Sequence, residues 1–418
     1  MLLLYNIFIF VYAGLIHIAA PFNHKARLFV SGRKGQWQCL QQQLQTHRKD
    51  NPIVHFHCAS VGEFEQGRPI IEEIKRRNKD VQILLTFFSS SGFQACKNYA
   101  GADYIFYLPL DFAWNARRFV RTVKPAVSVF IKYEYWHNHI HCLQKSGAKC
   151  YLVSAIFRPK QVFFLPLVGN FFRKILRNFT IIFVQNQRSL ELLQPFGFKQ
   201  IAVSGDTRFD RVVAIASQPK SLPVLEKFAQ GQEVLVAGST WEQDEALLAQ
   251  IANNDEHLRI VFVPHELHEH RIKKLMQQLQ KPAVRYSQLV ENPQLSASDY
   301  HYIVVDCIGI LSSAYKIARY AYIGGGFGVG IHNTLEAAVY GIPLFFGENY
   351  HKFKEAQDLI ALGGAFCVKN FVSLQIYLDS FRQNPTQLTQ SGEACKNYVQ
   401  QNVGATQQVC NSIISKKL

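Results

Sequence analysis

Apolar and polar positions along this chain fall into two recurring kinds of run. Ile53–Cys58, Val81–Phe87, Ala126–Ile131, Cys150–Ser154 and Ile181–Gln185 are short, nearly continuous apolar stretches, the pattern of strands covered on both faces. Between them, segments such as Pro69–Asn78 and Asn115–Val123 carry apolar residues at helical spacing. A second series follows at Glu233–Ala237, Arg259–Val263, Tyr302–Val305, Ala321–Ile323 and Leu344–Phe346. Strand and helix in regular alternation predict parallel sheets clothed by helices. The expected fold class is therefore α/β, with two doubly wound domains joined near Ser204–Asp210. Gln41 to Asn51 reads as a polar connector, and Gln383 to Leu418 as helical and packing back across both domains. No internal repeat or low-complexity tract is present.

Met1–Ala20 breaks the pattern, with no Asp, Glu, Lys or Arg and about the ~20 residues that span a bilayer core. A cleaved signal peptide would begin with a positive segment, and here Pro21 directly follows the small pair Ala19-Ala20. Lys25, Arg27, Arg33 and Lys34 come next, which by the positive-inside tendency puts the body in the cytoplasm. The reading is an uncleaved anchor, either crossing the bilayer or lying in one leaflet.

Composition narrows the function classes. A hydrophobic content of 48% with 18% charged residues excludes a disordered chain. Forty-five Lys and Arg against 30 Asp and Glu give a net charge of +15, which attracts phosphate on nucleic acid, lipid or nucleotide sugar. With no aromatic-basic RNA signature and no helix-turn-helix pattern, nucleic acid is the weakest of these partners. The nine cysteines include no Cys-x-x-Cys pair, so the body is placed in a reducing compartment without a zinc ribbon or disulfide framework.

Open parallel sheets bind ligands beyond the carboxyl ends of their strands, so the strand-to-helix turns carry the candidate chemistry. After Ile53–Cys58 comes Ala59-Ser60-Val61-Gly62-Glu63. Glu63 at the mouth of a sheet suits a general base, but Ser60-x-x-Glu63 also has the spacing of a capping box, which alone would be the preferred reading. The second turn, Gly324 to Glu336, contains five glycines. It is read as a phosphate and ribose site, because amides at a helix start bind anions and a helix needs no five glycines merely to begin. Its glycines fit no dinucleotide fingerprint. Asn333 and Glu336 share capping-box spacing as well. The third candidate, Pro264-His265-Glu266-Leu267-His268-Glu269, misses the His-Glu-x-x-His motif because residue 269 is Glu. That cluster and His137-x-His139-x-His141 are read as solvated or core-edge histidines; no metal and no cofactor is expected. Phe163–Phe179 mixes five Phe with Arg173, Lys174 and Arg177. It suits either a membrane surface or acylated acceptor, or an ordinary helix with a solvated basic face.

Taken in order, these turns resemble one family, the 3-deoxy-D-manno-octulosonic acid (Kdo) transferases. His57 to Glu63 resembles the family's Ala-Ser-Val-Gly-Glu turn, and Glu134-Tyr135-Trp136-His137-Asn138 its Glu-Leu-Trp-Pro-Asn segment. Gly205 to Asp210, Gly238 to Trp241 and His332 to Ala338 follow at the expected places. The resemblance implies two Rossmann-like domains facing a cleft (GT-B). It divides the chain into an anchor (1–21), an acceptor-binding domain (22–205), a nucleotide-sugar-binding domain (206–385) and a C-terminal helix (386–418). It implies an inverting, metal-independent transfer of Kdo from CMP-Kdo to a lipid A precursor of the lipid IVA type, at the cytoplasmic face of the inner membrane. Glu63 would be the base, with Glu134 and Arg208 stabilising the transition state. CMP would lie against His265, Glu266, Ile308, Gly309, Ile310, Asn333, Thr334, Leu335 and Glu336. The chain departs from the family where Pro-Arg-His becomes Pro264-His265-Glu266, where Gly-Glu becomes Gly309-Ile310, and where His137 replaces Pro. A GT-B enzyme using a UDP-sugar and a non-catalytic basic membrane-surface module are the competing readings.

Overall fold

A computed structural model describes residues 1–48 and 51–414. They form two compact units, Met1–Arg211 with Val403–Leu418, and Val212–Asn402. The first unit is built on seven parallel strands: β1 (Ile53–Cys58), β2 (Gln82–Phe87), β3 (Tyr104–Tyr107), β4 (Val127–Ile131), β5 (Lys149–Ala155), β6 (Ile181–Val184) and β7 (Ile201–Val203). Their order is β3-β2-β1-β4-β5-β6-β7, so the winding reverses between β1 and β4. The second unit carries β8 (Glu233–Thr240), β9 (Leu258–Pro264), β10 (Ala283–Arg285), β11 (Tyr302–Val304), β12 (Tyr320–Ile323), β13 (Leu344–Phe346) and β14 (Ala365–Cys367). They are also parallel, in the order β10-β11-β9-β8-β12-β13-β14, reversing between β8 and β12. The expected fold class, α/β with two doubly wound sheets, is the one found.

The central strands β1, β2 and β4 are buried along their whole length, which is why their sequences read as unbroken apolar runs. The four strands that the apolar pattern does not announce, β3, β7, β10 and β14, are the four sheet edges. They have three or four residues and are incompletely buried, so no continuous run marks them.

The N-terminal part differs from the expectation of a polar connector. Gln36–His47 is a helix that buries Leu40 and Leu44 beside Trp37; this apolar stripe outweighs the intervening glutamines. Lys49 and Asp50 of that connector lie outside the described residues, as do residues 415–418 of the helical stretch expected to Leu418. Leu2–Ala19 is, among the described residues, one helix long and apolar enough to cross a membrane. It is not free of the body. Tyr5 donates to Asp111 Oδ2 at 2.5 Å and Asn138 donates to Asn6 Oδ1 at 2.9 Å. Ile9 and Ala13 are buried, while Leu3, Leu4, Phe8, Leu15 and Ile18 are exposed.

In the Phe163–Phe179 segment, Phe163 and Phe179 are buried, and Phe164, Phe171 and Phe172 pack against the same core. Its arginines cap backbone carbonyls, Arg173 on Phe163 and Arg177 on Phe196. At the other end of the chain, Ala405–Ile414 returns to the first unit and buries Val409, Cys410 and Ile413 against Ile70 and Ile74. The Asp210 carboxylate accepts the amides of Gly404 and Thr406 and the Thr406 hydroxyl, at 2.6, 2.8 and 2.8 Å.

Candidate functional site

In the first unit, the winding reversal opens beyond the ends of β1 and β4, where His57 and Phe130 are in register. Backbone bends sharply around these mouths: Lys132, Ser154 and Ser239, just at or past the ends of β4, β5 and β8, hold positive φ values of 68°, 56° and 55°. Such conformations are costly for residues with a Cβ and concentrate at functional sites.

Beyond β1, Ser60 caps the Val61–Arg77 helix. Its Oγ accepts from the Gly62 amide at 3.3 Å and donates to Glu63 Oε2 at 2.5 Å. A reciprocal capping box would instead have Glu63 accept from the Ser60 amide; that bond is not formed here. The carboxylate is half-buried and, among the described residues, held by the Ser60 hydroxyl alone.

Beyond β4, Glu134 is buried, and its Oε2 accepts the Trp136 indole N–H at 2.5 Å and meets His57 Nε2 at 3.0 Å. Behind it runs a chain of wholly buried groups. His57 Nδ1 lies 3.0 Å from Thr86 Oγ1, His55 Nε2 lies 2.8 Å from the same oxygen, and His55 Nδ1 lies 3.2 Å from Ser128 Oγ. One direction of donation satisfies every member with both rings neutral: Ser128 to His55, His55 to Thr86, Thr86 to His57, and His57 to Glu134. The Thr86 hydroxyl also stands 3.3 Å from the Phe56 carbonyl. Burial, followed by the neighbouring His57 and His139, holds His55 well below the ordinary histidine range. Sequence reasoning missed this chain, although His55-x-His57 on a strand places both rings on one face.

Arg208 is anchored by Asp206, which accepts its amide at 2.9 Å, its Nε at 2.8 Å and its Nη2 at 2.8 Å. Asp206 also accepts from Gln66 at 3.1 Å, and Thr207 donates to the Gln66 carbonyl at 2.6 Å. Gln66 lies one turn beyond Glu63 on the same helix. The structure therefore ties the Arg208 link to the element that carries Glu63.

In the second unit, β8 and β12 flank the reversal. Buried Asp244 accepts from the amides of Trp241 and Gly325 at 2.9 and 2.8 Å and from the Tyr322 hydroxyl at 2.9 Å. Burial pushes its carboxyl up, and those donors oppose the shift. The glycine loop is thus pinned from beneath. A Cβ on Gly324 would stand 2.3 Å from the Ser239 carbonyl oxygen, and one on Gly326 2.4 Å from the Gly347 amide nitrogen. Gly325 and Gly330 have φ of +93° and +113°, a region that favours glycine. Packing and backbone conformation therefore account for four of the five glycines, and their number alone no longer argues for a ligand.

Two groups of the expected nucleotide residues emerge. His265 stacks on Trp241 and His332, with ring centroids at 4.8 and 4.4 Å. The Trp241 indole donates to His332 Nε2 at 3.0 Å. Desolvation, then His265, pushes the His332 imidazole down to about 4. Glu266 meets Arg271 at 3.3 Å, and Arg271 also meets Glu245 at 3.1 Å. The other group joins residues 308–312 to the 333–336 turn. Glu336 accepts from Ser312 Oγ at 2.7 Å and from Asn333 Nδ2 at 3.0 Å, and Asn333 Oδ1 accepts the Leu335 amide at 3.2 Å. No reciprocal box forms on the Leu335–Ala338 helix either. Thr334 and Leu335 are wholly buried. Ile308 is 88% exposed, Ile310 is buried, and the Gly309 carbonyl accepts from Lys220 Nζ at 2.8 Å. Trp241 and His332, absent from the expected set, pack directly on its His265.

Among the described residues, no group of three or more His, Cys, Asp and Glu is placed to hold a metal ion. His139 is buried and bonded to Asp111 at 2.6 Å, while His268 and His270 stack at the surface.

Residues 34–211 match the family model described as 3-deoxy-D-manno-octulosonic-acid transferase (kdotransferase). The 3-deoxy-D-manno-octulosonic acid transferase of Aquifex aeolicus (strain VF5) is 28% identical over 326 residues, covering 76% of this chain and 82% of that protein. That of Rickettsia prowazekii (strain Madrid E) is 27% identical over 361 residues, covering 83% and 76%. Among solved structures, UDP-GlcNAc 2-epimerase from Neisseria meningitidis bound to UDP-GlcNAc matches with a TM-score of 0.60 at 12% identity, over 87% of this chain and 100% of that one. At that identity the likeness is one of fold.

Proposed function

From its similarity to Kdo transferases over most of its length, we propose that this chain belongs to that family and transfers Kdo from CMP-Kdo to a lipid A precursor in lipopolysaccharide synthesis. The observation that carries the reading is the position of two carboxylates. Glu63 and Glu134 stand just past the carboxyl ends of β1 and β4, the strands between which the first sheet reverses, where doubly wound sheets bind their ligands.

Glu63 takes the proton from an acceptor hydroxyl. That oxygen bonds to the anomeric carbon of Kdo as the bond to the CMP phosphate breaks, the electron pair leaving with CMP. A single displacement of this kind inverts the anomeric centre, and no step of it calls for a metal. The Ser60 hydroxyl orients Glu63 between turnovers. Glu134, fixed by His57 and Trp136, stabilises positive charge developing on the sugar, and Arg208 offsets negative charge. In the second unit, His265, Glu266 and residues 308–310 and 333–336 hold CMP, Glu336 accepting from ribose hydroxyls. The Leu2–Ala19 helix attaches the enzyme to the cytoplasmic face of the inner membrane.

The test is incubation of the full chain with CMP-Kdo and a lipid A precursor, with mass spectrometry of the lipid. Kdo addition is expected, and Glu63→Gln should abolish it while melting temperature and CMP affinity stay near wild type. A folded Glu63→Gln protein with near wild-type turnover would overturn the assignment of the base.

A further inference from the structure

The first unit contains a cavity of about 250 Å³ that no step of the proposed transfer uses. It lies where the N-terminal helices meet the carboxyl end of β3, with His17, Val30, Trp37 and Leu40 on one side and Leu108 on the other. Its walls are mainly apolar, yet two of its residues are arginines, Arg33 and Arg118.

Among the described residues, Arg33 has no carboxylate partner. Its Nη1 and Nη2 donate to the carbonyls of Phe29 and Phe88 at 3.1 and 2.7 Å. Its guanidinium lies over the rings of Phe29 and Tyr107, at 3.5 and 4.5 Å. The Nε–H is buried without an acceptor among the described residues. Burial pushes this guanidinium down to about 10, which leaves it a cation at neutral pH. The Trp37 indole N–H is likewise buried without an acceptor, and Arg118 rides on the face of that indole at 4.3 Å. A half-buried cation with no counter-charge among the described residues is costly, and an orphaned buried donor costs about 1–3 kcal/mol. Two such donors and an uncompensated charge on an apolar cavity ask for an anion attached to something greasy. The neighbouring Leu2–Ala19 helix, with its exposed apolar side chains, brings a membrane to the same side of the unit.

We propose that this cavity is a lipid site, taking the head-proximal part of one acyl chain of a phosphorylated amphiphile, with the phosphate at Arg33, Trp37 and Arg118. A methylene needs about the room of a water molecule, ~30 Å³, so the cavity admits roughly eight of them. The chain's remainder stays outside. The inference rests on the lipid acceptor of the preceding reading and adds a place where that acceptor is gripped away from the reacting hydroxyl.

The test titrates the full chain calorimetrically with decyl phosphate below its micelle concentration, beside inorganic phosphate and decanol. Decyl phosphate should saturate one site, at least 10-fold more tightly than either half-molecule. Val30→Trp, which adds bulk at a half-exposed wall position without removing a buried group, should abolish that binding and leave CMP affinity unchanged. Arg33→Gln should weaken it at least 10-fold. Saturation absent from the wild type, Val30→Trp binding as tightly as wild type, or inorganic phosphate or decanol binding equally well would each overturn the proposal. The transferase reading is scored separately. Decyl phosphate binding without any Kdo transfer keeps the site and sinks the function. Kdo transfer with an acceptor KM that Val30→Trp does not raise sinks the site.

Discussion

Replacing Thr86 by valine tests whether the buried histidine chain is a built device. The swap keeps shape and removes one hydroxyl, the atom bonded to both His55 and His57. In the variant the His55 Nε2–H loses its acceptor and His57 Nδ1 loses its donor. Both rings are wholly buried, so water does not replace them. Each orphaned buried group costs about 1–3 kcal/mol, which puts the loss for the first unit at roughly 2–6 kcal/mol. Thr86→Ser keeps the hydroxyl and removes one methyl, a loss of about 1 kcal/mol. The more apolar substitution should therefore be the more damaging, the reverse of what burial alone dictates. Urea unfolding in a Trp241→Phe background isolates the first unit, because Trp37, Trp114 and Trp136 all lie there. With the tautomer of His57 released and Glu134 less firmly held, kcat should also fall while CMP affinity stays constant. A Thr86→Val cost under about 1 kcal/mol, or no difference between Val and Ser, would refute the chain.

The second unit should lose stability in mild acid. The folded His332 pKa, about 4 against the ordinary 6.5, means the unfolded chain takes the proton first. Stability is then flat above pH 6.5, falls between pH 6.5 and 4, and levels below. Each pKa unit is worth ~1.4 kcal/mol, and discounting for the ring's partial exposure leaves about 1–2 kcal/mol. Thermal melts of wild type and His332→Gln should converge toward pH 4, and an undiminished acid slope in the variant would exclude His332 as the cause. Glu336→Ala, which releases Ser312 and Asn333, should lower CMP affinity roughly 10- to 150-fold, the ~1.5–3 kcal/mol of hydrogen bonds to a charged group. Unchanged affinity at a temperature where the variant is folded would leave Glu336 as a loop fastener.

The interior of both sheets is legible in the sequence because strands covered on two faces admit only apolar residues, as in Ile53–Cys58 and Leu258–Pro264. The edges are not, since a strand such as Ala283–Arg285 buries one residue in three. Ordered turns carried the resemblance to Kdo transferases, because chemistry fixes several residues at once. Local spacing was the poorer guide. Ser60-x-x-Glu63 and Asn333-x-x-Glu336 have capping-box spacing, yet in both the side chains bond to each other. The glycines of the second turn signalled close packing against Ser239 and Gly347, contacts made by residues distant in sequence. The histidine chain needed three strands to be laid side by side before His55, Thr86, His57 and Ser128 could meet.

The return of Ala405–Ile414 to the first unit also sets a timetable. Val212–Asn402 intervenes, and at about 5–20 residues per second a ribosome needs roughly 10–40 s to make those residues. Throughout that interval the groove on Ile70 and Ile74 lacks the side chains of Val409, Cys410 and Ile413, and Asp210 awaits Gly404 and Thr406. The first unit is thus begun early and closed late, with the whole second unit made in between. Nascent chains stalled before Val403 should expose that groove to chaperones and proteases, and release of the last segment should be the step that makes the first unit resistant.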